Sequence, residues 1–384
     1  MPYEITFDNI PAGYSLSSSK KGETGTIQVS VREFTSSEDG DLFISRLEGF
    51  PAEIVSKLPP RISPSQIDHL LAIIRIDKTA TVYVNEIKKI AKILIKRVVD
   101  KGEPVYADDI GDVESLILEG ISIPEDVSIL FLFSVGWRKG LFFDFWPTQS
   151  HNPRNRDYNL NNLLGQYYAY LIFQDFFKIS DAEWTNLLKQ GWFPFITLRK
   201  TTLKDILNYN RNLWNIDELL SKIEKEITDR LPVHLIAWQN NTYFNDHLKF
   251  IETAIERFKS KDYISVISIL FPRIEGLMRS FHQDIRSDVK ATQASLIDSI
   301  VPPDVVLQKP HSLLLPQRFR EYLIDVFFAN FNPNSDKPLS RHSISHGVAS
   351  ASDFSLKGAT LGFLTLTQLS YYLKPKTWLT KAST

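Results

Sequence analysis

The chain has no cysteine among its 384 residues. Disulfides, thiolate-held metals and cysteine nucleophiles are therefore excluded, and a reducing, cytoplasmic setting is expected. No stretch reaches the roughly 18 consecutive apolar residues that a membrane span needs. The apolar run SILFLFSVGW is too short, so no membrane association is expected. The opening MPYEITFDNIPAGY has no basic region followed by an apolar one, and no secretory leader is expected. The sequence also lacks a GxxxxGK[ST] phosphate loop, a GxGxxG turn after a strand and a GxSxG elbow. Nucleotide hydrolases, dinucleotide enzymes and α/β-hydrolases thus have no support, and no cofactor is expected.

With 43% hydrophobic and 23% charged residues, and no extended polar tract, repeat or low-complexity segment, the chain reads as globular. Its length is large for one core and predicts two or three domains. The formal net charge of -1 is unevenly spread: from residue 235 onward there are 17 Lys+Arg against 13 Asp+Glu, leaving 27 against 32 before it. This mild basic excess is compatible with a C-terminal domain that faces nucleic acid, although so small a difference is common by chance.

The pattern predicts an α+β N-terminal part, a helical region and a C-terminal all-α bundle. In residues 1–149, TGTIQVSVREF alternates like a strand, while HLLAIIRI and ATVYVNEI bracket Asp77-Lys78 as a hairpin. KKIAKILIKRVV (88–99) reads as a helix. VSILFLFSV and LFFDFWP flank Gly136-Trp137-Arg138-Lys139-Gly140 as a second hairpin, whose basic and aromatic residues suit either a packed strand pair or a base-stacking surface. The breaker-rich SHNPRNRDYN (150–159) marks a boundary. Residues 160–234 read as a helical connecting region, with Trp192-Phe193-Pro194-Phe195 as an aromatic elbow plugging helices against sheet.

Residues 235–384 read as four or five antiparallel helices. NDHLKFIETAIERFKSKDY is amphipathic, and ISVISILFPRIEGLMRSFHQDI is kinked or divided at Pro272. SLLLPQRFREYLIDVFFANF follows, ended by the loop NPNSDKP. Ser340 is placed to cap a short helix that Gly347 weakens, and ATLGFLTLTQLSYYL closes the domain.

That short helix carries Arg341-His342-Ser343-Ile344-Ser345-His346-Gly347, the densest concentration of chemistry in the chain. Histidine exchanges protons near neutrality, and arginine offers a permanently charged fork to phosphate oxygens. His342 and His346 share a helix face as zinc ligands do, but a zincin requires Glu where Ser343 stands and no third ligand is evident. No metal is expected. Arg341 and His346 are five residues apart, roughly 140° around an ideal helix, so a cleft shared by two copies across a two-fold axis suits them better than one subunit.

Arg341-His342-x-x-x-His346 resembles the R-[polar]-x-x-x-H signature of the HEPN superfamily, helical-bundle proteins that include metal-independent RNases of prokaryotic toxin–antitoxin and phage-defence systems. KDYISVISILFPRIEGLMR (261–279), with Glu275, resembles the superfamily's first helical segment, and the resemblance covers about residues 235–375. It implies a catalytic set of Arg341, His346, His342 and Glu275. His346 would move the proton of the ribose 2′-OH or of the leaving oxygen, and Arg341 would stabilise the charged transition state. His342 would bind substrate or act as a second acid or base, and Glu275 would hold Arg341 or orient a histidine.

The implied partners are RNA, a second copy through the bundle, and an antitoxin or activating partner. The products would be a 2′,3′-cyclic phosphate and a 5′-hydroxyl, with DNA inert for want of the nucleophile. Residues 1–149 would then sense a trigger or select RNA. Against this stands a HEPN-like module that only binds RNA or dimerises, with the Arg/His cluster holding helices together and Glu275 pairing Arg273 or Arg279. His282 and His311 have no chemical neighbours in the sequence and read as structural or exposed.

Overall fold

The computed structural model describes residues 2–8, 13–16, 21–22, 24–25, 27–37, 50–58, 62, 66–149, 154–329 and 339–373. The loop NPNSDKP lies outside them. The architecture is mixed α+β, an antiparallel sheet region followed by helices. The strands are β1 (Tyr3–Thr6), β2 (Gly13–Leu16), β3 (Ile27–Ser30), β4 (Arg32–Ser37), β5 (His69–Ile74), β6 (Thr79–Val84), β7 (Lys89–Ile95), β8 (Ile110–Leu118), β9 (Ser128–Val135) and β10 (Arg138–Asp144). Contacts group the chain into two compact units, Met1–Ile93 with Val113–Gln174, and Leu94–Asp112 with Asp175–Thr384. These divisions fall elsewhere than the 149 and 234 boundaries suggested by composition.

In the first unit, six strands pair antiparallel in the order β1-β6-β5-β9-β10-β4. Successive residues of a strand face opposite sides, so an all-apolar strand needs cover on both. β5 sends Leu70, Ala72 and Ile74 to one core and Leu71 and Ile73 to the other; β9 divides Leu130 and Leu132 from Ile129, Phe131 and Phe133 in the same way. Helix α1 (Phe50–Lys57) contributes Ile54 to the first core. After α2 (Trp146–Gln149), helix α3 (Leu160–Ile172) brings Leu164 and Leu171 to the second, beside Leu116 and Leu118 of β8.

Both predicted hairpins form. Lys78, at φ 67°, turns the first, and Gly136, at φ 59°, turns the second. In the second, Lys139 Nζ donates to Ile67 O at 2.7 Å and Arg138 Nη1 to Leu171 O at 3.0 Å, so both cations are bound to backbone as in a packed strand pair. The expected helix at 88–99 is instead β7, which pairs with β8. Its burial alternates at the start, and Ile90, Ile93 and Ile95 favour extended backbone once a partner strand is present.

The second unit is largely helical: α4 (Gln174–Phe177), α5 (Asp181–Lys189), α6 (Lys200–Arg211), α7 (Leu220–Gln239), α8 (Leu248–Lys259), α9 (Tyr263–Ile285), α10 (Gln293–Ile300), α11 (Pro303–Gln308), α12 (Pro316–Tyr322), α13 (Arg341–Ser345) and α14 (Leu356–Ser370). Helix α9 packs against α8, α10, α13 and α14. It continues through Pro272 as one 23-residue helix, the lost donor being offset by burial of Phe271, Ile274, Leu277 and Met278 around it. Phe193 of the aromatic elbow meets Trp184, Phe319 and Tyr322, so its partners are helices where a helix–sheet junction is suggested by sequence.

The segment 94–112 is built into this helical unit. Asp112 accepts from Ser312 Oγ at 2.6 Å and Leu313 N at 3.0 Å, Lys96 Nζ donates to Ile196 O, and Asp108 accepts from Lys200 N. No helix among the described residues is long and apolar enough to cross a membrane.

Gly165 of α3 lies against the backbone of Ser115: a Cβ there would stand 2.7 Å from Ser115 Cα. Gly165→Ala is expected to destabilise the protein by roughly 1–3 kcal/mol through overpacking that backbone cannot relieve cheaply. A lowered unfolding midpoint in scanning calorimetry checks this.

Candidate functional site

Helix α13 is five residues long and has little stability of its own. Its ends are fixed by local bonds. Ser340 caps it, the Oγ accepting from Ser343 N at 3.2 Å, while Ser343 Oγ answers the backbone N–H of Ser340 at 3.1 Å. Both serines are buried. Gly347, at φ 65°, lies just past the end and reverses the chain, with Val348 N and Ala349 N returning to Ser343 O. It terminates the helix rather than weakening its interior.

The main tie to the unit is electrostatic. Glu275 is buried on α9 and its carboxylate serves two arginines: Arg279 Nε and Nη2 reach Oε1 at 2.8 and 2.6 Å, and Arg341 Nε forms an ion pair with Oε2. Of the partners considered from sequence, Arg341 and Arg279 are both present. Arg273 instead lies over the Phe250 ring. Two guanidinium charges on one carboxylate leave an excess positive charge here. Among the described residues, the terminal nitrogens of Arg341 make no hydrogen bond, so its outer edge is open to an oxyanion.

His342 contacts Gln293 Nε2 at the start of α10 through its own Nε2. The side-chain amide and the ring are hydrogen-bond partners, with the direction set by the imidazole tautomer. Burial lowers the His342 pKa below 6.5, and the charges of Arg341 and His346 lower it further against the opposing pull of Glu275. It is therefore neutral near pH 7. His346, the C-cap residue, is exposed; its ring stacks parallel on His342 with centroids 5.7 Å apart, and its nitrogens have no hydrogen-bond partner among the described residues.

Arg341, His342, His346 and Glu275 thus come together in one chain. The assembly offers a fixed guanidinium, a neutral imidazole and a solvent-facing imidazole, groups suited to binding an oxyanion and moving protons beside it. Gln293 was not singled out from the sequence; nothing in a lone Gln signals it, and only packing of α10 brings it near. Gln293 also lines a cavity of about 370 Å³ with Arg320, Ile324, Asp325, Phe328 and Ala329. One wall is a π-helical turn, Leu323–Phe327, a geometry frequent at functional sites.

The other histidines considered are structural. His282 is buried between Ser299 Oγ and Val289 O, and His311 meets the Phe177 edge with its pKa pushed down to about 4 by burial. No cluster of potential metal ligands occurs among the described residues. In comparisons with protein-family models, curated proteins and solved structures, nothing matches the chain.

Removing the Arg341 charge frees the imidazole from one of the influences that depress it. In Arg341→Gln, His342 is expected to titrate at higher pH than in the parent protein, as followed by NMR of the histidine ring protons. Glu275→Ala leaves two arginines without their carboxylate and is expected to cost roughly 1–3 kcal/mol in denaturant unfolding.

Proposed function

We propose that the protein is a metal-independent endoribonuclease of HEPN type that cleaves RNA by 2′-OH attack. One observation carries this reading: Arg341 is ion-paired at Nε with the buried Glu275, its terminal nitrogens make no hydrogen bond among the described residues, and the same short helix carries His342 stacked on the exposed ring of His346. Arg341 then binds the scissile phosphate and stabilises the charge that builds on its oxygens. His346 relays the proton, taking it from the 2′-OH or giving it to the departing 5′-oxygen. His342, neutral and held by Gln293, orients substrate or assists proton transfer. Glu275 acts through Arg341 and is a positioning residue.

A second copy of the chain would complete the cleft, and the antitoxin or trigger implied by the resemblance to toxin and phage-defence proteins would control it in the cytoplasm. The second function class is a HEPN-like scaffold that binds RNA or dimerises without cutting. It draws on the same ion pair, which also anchors α13 to α9.

Purified protein incubated with labelled RNA and DNA separates these readings. The RNase predicts cleavage of RNA alone, unaffected by EDTA, with 2′,3′-cyclic phosphate ends. His346→Ala is expected to lower the rate at least 100-fold, the scale of a lost general acid or base, while the circular dichroism spectrum and melting midpoint stay unchanged. Cleavage retained in that variant overturns the assignment. Binding without cleavage by the parent protein establishes the scaffold.

A further inference from the structure

The sheet unit contains a buried cation with no ion-pair partner among the described residues. Arg156 is only 7% exposed. Its Nη2 donates to Pro124 O at 2.6 Å and Val127 O at 2.8 Å, which fixes the guanidinium under the turn before β9. Its Nε is buried without a hydrogen-bond partner, Nη1 makes no hydrogen bond among the described residues, and no carboxylate there lies within ion-pair distance of it. Arginine cannot relieve this by losing its proton, so the charge persists in the folded protein.

The nearby buried carboxylate is not its partner. Asp144 is occupied by Arg32 Nε at 3.2 Å, Tyr158 OH at 2.5 Å and Trp146 N at 3.1 Å. Glu125, the other acid whose charge reaches Arg156, is exposed and has its own contact with Asn155 Nδ2 at 3.5 Å. Arg32 opposes it with a like charge.

Arg156 lines a cavity of about 320 Å³ whose wall includes Leu118, Ile121, Leu160, Asn161 and Glu125. That volume falls in the small-molecule range of roughly 300–1,000 Å³. The first turn of α3 opens on it. Asn159 Oδ1 occupies only Asn162 N, at 3.0 Å, while a helix start presents four such donors and a partial positive charge. A buried guanidinium and a 13-residue helix terminus therefore converge on one pocket whose lining is mostly polar, with Leu118, Ile121 and Leu160 supplying a smaller apolar part.

We propose that this cavity binds a small organic molecule through a singly charged oxyanion. The anion lies on Arg156 and the first turn of α3, and its carbon body lies on Leu118, Ile121 and Leu160. Glu125 in the wall disfavours a second negative charge, which selects a carboxylate or phosphodiester group over a phosphate dianion. This site is independent of the Arg341–His346 cluster and of any reaction there.

Calorimetric titration of the full chain with hexanoate, dibutyl phosphate and neutral hexanol tests the proposal, the first two arms separating carboxylate from phosphodiester. At least one anion is expected to bind tenfold or more tightly than hexanol. Glu125→Gln is expected to tighten that anion severalfold, a change a merely structural role for Arg156 does not produce. Arg156→Gln is expected to weaken it at least tenfold; should that variant fail to fold, Ser122→Phe, which fills the cavity from an exposed wall position, is expected to abolish binding instead. Neither anion binding better than hexanol, or Glu125→Gln leaving affinity unchanged, overturns the site.

Discussion

The carboxylate of Glu275 joins the two pieces of chain on which the candidate chemistry rests. It is buried on a long, well-packed helix, and one oxygen is saturated by Arg279 from the next turn while the other faces Arg341. The ion pair restrains an arginine carried on a five-residue helix. Charged groups held by a buried partner lose less freedom when they meet a ligand, which is the basis of preorganised electrostatics. Burial, with the charges of Arg341 and His346, lowers the His342 pKa, and Glu275 pulls it the other way. A single α9 residue thus influences the guanidinium's position and the imidazole's protonation together.

The sheet unit shows a different constraint, close packing on both faces. Its central strands have no polar side to give to water, so α1 covers one face and α3 with β8 the other. The approach of α3 to β8 is close enough to require glycine at position 165. Arg156 enters the same region, just before α3, and is held by carbonyls instead of carboxylates. Carbonyl partners satisfy hydrogen bonds but not charge.

Elements with strong local signals were legible in the sequence. The hairpins at Asp77-Lys78 and Gly136-Trp137 announce themselves by apolar runs around turn residues, and Ser340 and Gly347 mark the limits of α13 through capping chemistry that acts within a few residues. The strand β7 was not legible, because KKIAKILIKRVV has apolar spacing that fits a helix, and its pairing with β8 is a nonlocal fact. Glu275 illustrates the same limit at the site. Sequence offered Arg273, Arg279 and Arg341 as partners; helical periodicity favours Arg279 at i+4, but Arg341 lies 66 positions along the chain and the tie to it depends on tertiary packing. Gln293 beside His342, and the unpaired state of Arg156, likewise arise only when distant segments meet.

The interleaving of the two units has a consequence for how the protein can be dissected. The helical unit is discontinuous in sequence, for residues 94–112 belong to it although the sheet unit resumes at Val113. Asp112 ties down the turn at Ser312-Leu313, Lys96 reaches the Ile196 carbonyl, and Asp108 meets the start of α6 at Lys200. A clone beginning at residue 175 or 235 would discard these supports and bare the polar groups they satisfy. No single cut in the chain therefore separates the two units.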